Sequence, residues 1–247
     1  MSGFGVLIIG DEILRRKRRD RHFDYVAGML LQNGLQLGWC HILGDDGDQI
    51  ESFLQRSFAT DDKVFCFGGI GATPDDLTRA CAARAAGQNL VLHSEAVKIL
   101  EERYGSQAYP SRILMAELPE HARLIPNPVN QIPGFSLGDH HFMPGFPEMA
   151  HPMVNWVWNE YYAHLRCEPE DEISVLMLNA KEGDLIPAME KLLEQYPGVK
   201  LSSLPRIDGG NPRIEFSLRG KSAEIHAAFE IMSLRLDQLG INWQEKD

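Results

Sequence analysis

The run Val64-Phe65-Cys66-Phe67 breaks into Gly68-Gly69-Ile70-Gly71-Ala72-Thr73-Pro74-Asp75-Asp76-Leu77-Thr78. Four apolar residues in a row suit a short strand buried on both faces. Three glycines within the next four positions let the chain turn sharply and let backbone approach a ligand. Thr73, Pro74 and Asp76 then occupy the N-cap, N1 and N3 places of a helix start, which predicts a helix over 74–86. A strand feeding a glycine turn and a helix is one βα unit of an open sheet. In such a sheet, ligands bind beyond the carboxyl ends of the strands.

The neighbouring segments repeat the unit. Gly5–Ile9 is another continuous apolar run. A helix is expected over 20–32 and stopped by Gly34, a strand over 35–43, and helices over 48–58 and 94–104. Between Gly105 and Phe146 prolines and glycines punctuate short strands. Pro147–Leu165 reads as one aromatic helix, and polar Arg166–Asp171 as a boundary. Beyond it the order is strand (172–178), helix (185–195), strand (199–204), strand (213–218), helix (222–239), as in a small split βαβ sandwich. The expectation is a three-layer α/β/α domain with a mostly parallel sheet over residues 1–166, plus a small C-terminal α+β domain, KH-like or split βαβ, over 172–247.

Charge narrows the function. The formal net charge is −11 over 247 residues, which disfavours a nucleic-acid backbone or an anionic membrane as the main partner. No apolar run approaches the roughly 20 residues of a membrane span. Cys40, Cys66, Cys81 and Cys167 form no CxxC pair and no metal spacing. They read as free thiols in a reducing, cytoplasmic setting.

Gly68, Gly69 and Gly71 ahead of a helix favour an anion, because free N–H groups gather there. Asp75 and Asp76 oppose one. They either cap the helix or share a divalent cation such as Mg²⁺ with the ligand's phosphate. Gly10-Asp11-Glu12, at the end of the first strand, puts two more acids at the same edge, unless it is only a solvated turn.

Gly10–Leu14 and Gly68–Thr78 resemble the molybdopterin-binding domain shared by MoaB, MogA and the N-terminal part of CinA, the competence/damage-inducible protein. Leu118-Pro119-Glu120 through Asn127-Pro128 and Pro133-Gly134-Phe135, together with Met143–Met149, are similar to the CinA-like branch. The four motifs span roughly the first 165 residues. The amidase domain that ends full-length CinA proteins has no counterpart in these residues. The resemblance implies a molybdopterin or nucleotide ligand held by phosphate. Its site would be Gly10, Gly68, Gly69, Gly71, Thr73, Asp20, Pro144 and Gly145, with Asp11 and Glu12 beside the phosphates and Asp75 or Asp76 on the metal. It also implies a homo-oligomer, a dimer first. Where the family continues Ser-Gly-Arg, this chain has Arg15-Arg16-Lys17. Ala72 replaces a proline, and Leu114-Met115 replaces Lys-Gln.

The basic run Arg15–Arg19 reads as a solvated loop, a pyrophosphate clamp, or a nucleic-acid contact. Residues 172–247 contain no GxxG loop of the kind KH modules use. His140, His141 and His151 lack the partners of a zinc set, and Trp156, Trp158, Tyr161 and Tyr162 read as packing. Three functions stay open. One is a ligand-binding protein of the molybdopterin-domain type. Another is a metal-dependent pyrophosphatase on ADP-ribose or a related dinucleotide, with Asp11, Glu12, Asp75 and Asp76 as its reacting-site acids. The last is a nucleic-acid-binding adaptor.

Overall fold

The computed structural model describes residues 3–208 and 211–246. The chain divides into two compact units, Met1–Cys167 and Glu168–Asp247.

The first unit is built on a six-stranded sheet. Its strands are β1 (Phe4–Ile9), β2 (Leu37–Leu43), β3 (Lys63–Phe67), β6 (Arg123–Ile125), β7 (Gly134–Leu137) and β8 (His140–Met143), in the order β2-β1-β3-β8-β7-β6. The pairs β1–β2, β1–β3 and β3–β8 are parallel, and β7 runs antiparallel to both β8 and β6. The sheet is therefore mixed. Strands β1, β2, β3, β8 and β6 all point their carboxyl ends the same way. A small ribbon, β4 (Leu90–Leu92) with β5 (Glu117–Pro119), stands apart from it.

Period-two alternation in β1 and β3 separates two cores. Leu7, Ile9, Val64 and Cys66 pack with Ile50 and Leu54 of α3 (Gly47–Phe58), Cys81 and Ala82 of α4 (Thr78–Ala85), and Leu100 of α5 (Ser94–Tyr104). Val6, Ile8, Phe65 and Phe67 face the other way. They meet Val26 and Leu30 of α2 (His22–Gln32) and Met153 and Val154 of α6 (Pro147–Val157). Each fully buried large side chain contributes about 1.5–3 kcal/mol. This explains why β1 carries apolar side chains on both faces. A short helix, α1 (Asp11–Leu14), closes the first loop.

Two expected elements differ. The helix after β3 begins at Thr78, not Pro74. The Thr78 N–H donates to the Gly69 carbonyl at 2.9 Å and its hydroxyl to the Gly68 carbonyl at 3.0 Å, so the glycine turn itself sets the helix start. The aromatic segment is not one α-helix to Leu165. After Val157 the chain widens into a π-type turn over Trp158–Tyr162 and then a 3₁₀ turn. Trp158 and Tyr162 both pack on Phe4, and the Tyr162 hydroxyl reaches His141 Nε2 at 2.6 Å and Asp139 at 3.1 Å. These anchors set the local path.

The second unit runs β9 (Asp171–Leu178), α7 (Glu182–Gln195), β10 (Lys200–Asp208), β11 (Asn211–Gly220), α8 (Ser222–Gln238) and β12 (Asn242–Glu245). Its antiparallel sheet has the order β10-β11-β9-β12. That is the expected β-α-β-β-α order with one further strand, β12, which completes the split βαβ pattern. Val175, Met177, Phe216 and Leu218 form its core with Leu185, Ile225 and Met232. Among the described residues no helix is long and apolar enough to cross a membrane.

Candidate functional site

The carboxyl ends of β1, β2, β3, β8 and β6 open on one pocket of about 470 Å³, a volume typical of small-molecule sites. Gly10, Glu12, Gly68, Gly69, Gly71, Thr73, Asp75, Asp76, Pro144 and Gly145 all line it. Ten of the twelve residues singled out in the sequence thus meet in one place, although they come from three separate stretches of chain.

Backbone geometry shapes the glycine loop. Gly68 (φ +97°) and Gly69 (φ +67°) sit in the left-handed region. A Cβ on Gly68 would stand 2.1 Å from the Ile9 carbonyl oxygen. Among the described residues, the N–H groups of Gly69, Ile70, Gly71 and Ala72 make no backbone hydrogen bond. Four consecutive residues on the pocket wall thus keep backbone donors that no backbone acceptor takes.

Arg79 holds this loop from below. Its side chain is buried, with 7% exposure. One guanidinium nitrogen donates to the Leu114 and Glu117 carbonyls at 2.5 and 2.9 Å, and the other to the Gly71 carbonyl at 2.8 Å. Burial lowers its pKa, with the charges of Glu117 and Asp76 opposing. On the opposite side His22 stacks on Phe67 at 4.1 Å and brings Nε2 within 3.3 Å of the Gly145 carbonyl. Gly145 in turn lies against Gly68, 3.5 Å from its Cα to a Cβ built on Gly145.

The acids divide by role. Asp76 accepts from the Thr73 N–H at 2.8 Å and the Thr73 hydroxyl at 2.5 Å. This is the reciprocal half of a capping box, closed on a turn rather than on a helix. Glu12 and Asp75 line the pocket with Asp45, which the sequence reading did not single out. The Asp45 carboxylate accepts from the Asp11 N–H at 3.0 Å. Burial, foremost, and the facing charges of Asp11, Glu12 and Asp75 raise the Asp45 carboxyl above its ordinary value, against the lowering by the Asp11 N–H. Asp45 follows β2 as Glu12 follows β1. Applying the carboxyl-edge rule to β2 as well as to β1 and β3 is the signal that finds it.

Asp11 and Asp20 do not line the pocket. Asp11 pairs with Arg15 at 2.7 Å and lies under the Asp45 N–H. It ties the ends of β1 and β2 together. Asp20 accepts from the N–H groups of His22 and Phe23 at 3.0 and 2.9 Å and so caps α2. In the basic run, Arg18 lines the pocket and lies 5.8 Å from the Phe146 ring, while Arg15, Arg16 and Lys17 do not line it. Arg16 has φ +55°, at the position where the family has glycine. Arg16→Gly is therefore expected to raise unfolding free energy by about 0.5–1 kcal/mol, the left-handed penalty less the entropy glycine costs. Urea denaturation checks it; a loss of stability would mean that the arginine makes a compensating contact.

The histidines belong to the cores. His140 meets Ser57 at 2.7 Å, and His141 lies between Ser136 and Tyr162. Burial holds them down to about 4 and about 3, so both are neutral at physiological pH. His151 stacks on Tyr25. Among the described residues no three His, Cys, Asp or Glu side chains converge on one point as a complete metal shell would.

An open α/β sheet with a glycine loop and acids around a pocket at its carboxyl edge is the architecture of a small-molecule-binding domain. The chain belongs to the family described as "Probable molybdopterin binding domain", which matches residues 5–164. It is 41% identical over 149 residues to a CinA-like protein of Citrifermentans bemidjiense, an overlap of 58% of this chain and 36% of that protein. It is 32% identical over 248 residues to a CinA-like protein of Geobacter sulfurreducens, covering 92% of this chain and 56% of that one. The chain thus spans about a third to just over half of the length of these relatives. The solved structure of CinA from Thermoplasma acidophilum, 27% identical, matches 64% of this chain and 98% of its own with a TM-score of 0.59.

Proposed function

We propose that this chain binds a small phosphate-bearing ligand, a pterin or a nucleotide, together with a divalent cation. The observation that carries this reading is one pocket with two opposite linings: unpaired N–H groups over Gly69–Ala72, and the carboxylates of Glu12, Asp45 and Asp75. The N–H groups suit phosphate oxygens. The carboxylates suit a hard cation: burial foremost, and then the neighbouring charges of Asp11, Glu12 and Asp75, raise the Asp45 carboxyl, and a cation would offset both. Asp75 with one neighbouring carboxylate, Glu12 or Asp45, would supply part of a Mg²⁺ shell, with phosphate and water completing it, as Mg²⁺ sites commonly do. The cation would neutralise charge on the phosphoryl oxygens.

A second reading, hydrolysis of a pyrophosphate such as that of ADP-ribose, is favoured by Asp45. A carboxylate raised above its ordinary value by burial is a better proton acceptor for an attacking water than an ordinary one. Calorimetric titration with ADP-ribose, with and without Mg²⁺, followed by assay for phosphate-containing products, separates the two.

Asp75→Asn is expected to weaken Mg²⁺-dependent binding at least tenfold while leaving stability nearly unchanged. Asp45→Asn is expected to act with opposite signs: weaker cation binding, but a more stable ligand-free protein at neutral pH. A carboxyl raised in the folded state opposes folding above its unfolded pKa, and that opposition disappears in the amide. Unchanged cation dependence in both variants would defeat the shared-cation reading.

A further inference from the structure

The strands place one more polar group at the edge that carries the glycine loop. Stepping from β3 through β8 and β7 to β6 crosses three inter-strand spacings, about 14 Å. Asn127 follows β6 there and lines the pocket. Its side chain is 4% exposed. Its Oδ1 accepts the N–H groups of Val129 and Asn130 at 3.0 and 3.4 Å. This Asx turn fixes which way the amide faces: the oxygen is used by the turn, and Nδ2 points away from it. Among the described residues the buried Nδ2 has no acceptor. A buried donor without a partner costs stability, and native proteins rarely keep one without a use.

The surroundings fit a flat ring better than a second phosphate. Ile132, Pro133 and Met149 line the pocket with Asn127, and the Phe146 ring, 49% exposed, stands at the same pocket. Asn130 also lines it but is satisfied: its Nδ2 meets Met149 Sδ at 3.0 Å and its Oδ1 accepts from Ile132. Of the two, Asn127 is the one whose buried Nδ2 has no partner for either hydrogen. Inorganic phosphate on the glycine loop is too small to reach it across three strands, whereas a phosphate joined through a sugar or side chain to a ring is long enough.

Resting on the anion-and-cation reading above, we infer that Asn127 determines specificity in this pocket. Its Nδ2 donates to a ring nitrogen or carbonyl on the edge of a planar heterocycle whose phosphate lies on the Gly68–Gly71 loop. The apolar wall takes the faces of the ring. Phosphate contacts then supply affinity, and the amide supplies the preference for ligands that bear a heterocycle.

The test compares ADP with inorganic pyrophosphate, both with Mg²⁺, by calorimetry on the full chain. Wild-type protein is expected to bind ADP at least tenfold tighter than pyrophosphate. Asn127→Asp keeps the acceptor for Val129 and Asn130 but removes the donor. Its added charge weakens both ligands, so the ADP-to-pyrophosphate ratio is the quantity read, and it is expected to fall tenfold. Asn127→Ser keeps a short acceptor without the charge and is expected to lower the ratio likewise. A ratio unchanged in both variants overturns the inference while leaving the phosphate reading intact. Wild-type protein that binds neither probe overturns both.

Discussion

Gly68→Ala is expected to abolish ligand binding and to cost about 3 kcal/mol of stability or more. The added methyl would meet the Ile9 carbonyl oxygen at 2.1 Å, and that atom belongs to β1, the strand buried on both faces. Neither partner can swing aside as a long side chain would. The φ of +97° adds strain of the order of 1–3 kcal/mol for a non-glycine residue. Relief requires the loop to lift from β1, which moves the N–H groups of Gly69–Ala72 away from the position an anion would take. Gly87→Ala is the control. Its φ is +65°, but a Cβ there meets nothing within 4 Å, so only the backbone penalty of about 1–2 kcal/mol remains, with binding intact. Chemical denaturation and titration of the pair decide the matter. Equal stability losses would show that the Ile9 contact is not rigid.

Arg79→Met is expected to cost about 3 kcal/mol and to loosen the glycine loop at the same time. The methionine fills much of the space of the arginine stem but leaves the Gly71, Leu114 and Glu117 carbonyls without their donor. Each buried acceptor so orphaned costs about 1–3 kcal/mol. Part of that is offset, because a guanidinium no longer has to be held out of water. Arg79→Lys is expected to recover less than half of the loss, since one ammonium cannot reproduce the planar fork that spans two chain segments. Thermal unfolding gives the stability term. Amide exchange at Thr78, whose N–H is held by the Gly69 carbonyl, gives the loosening, and exchange as slow as in wild type would assign Arg79 a purely packing role.

Much of the first unit was legible because β1, and β3 after Lys63, are continuous apolar runs that lead into glycine. Such strands announce both their burial and the edge at which ligands sit. The glycine loop was legible for the same reason: Gly68, Gly69 and Gly71 have no use in a capped helix alone. The helix start was misread at Thr73. Asp76 does accept the Thr73 N–H as a capping box requires, but the competing anchor is Thr78 on the Gly68 and Gly69 carbonyls. That anchor joins residues nine and ten apart and leaves no local signature. Asp45 carried a signal that was not used. Arg18 could not be told from Arg15, Arg16 and Lys17 in a run of five basic residues, since the backbone path that brings it alone of these to the pocket has no signature in the run. Asp20 read as a ligand residue from its motif and serves as a helix cap. The orphaned amide of Asn127 depends on burial and on an Asx turn together, and neither is written in one stretch of sequence.

The two cores share β1 and β3, one on each face of the same strands. A helical layer lifted from either face bares apolar side chains of the same two strands, so the first unit is expected to lose its structure in one step rather than by peeling one helical layer. The pocket loops are the direct extensions of these strands. A ligand that touches only the loops, and binds only the folded state, stabilises the entire unit by mass action. Protons deep in β1, far from any contact with that ligand, should then exchange with solvent more slowly whenever it is bound. The slowest amides of the sheet can serve as reporters of occupancy for a site they never touch.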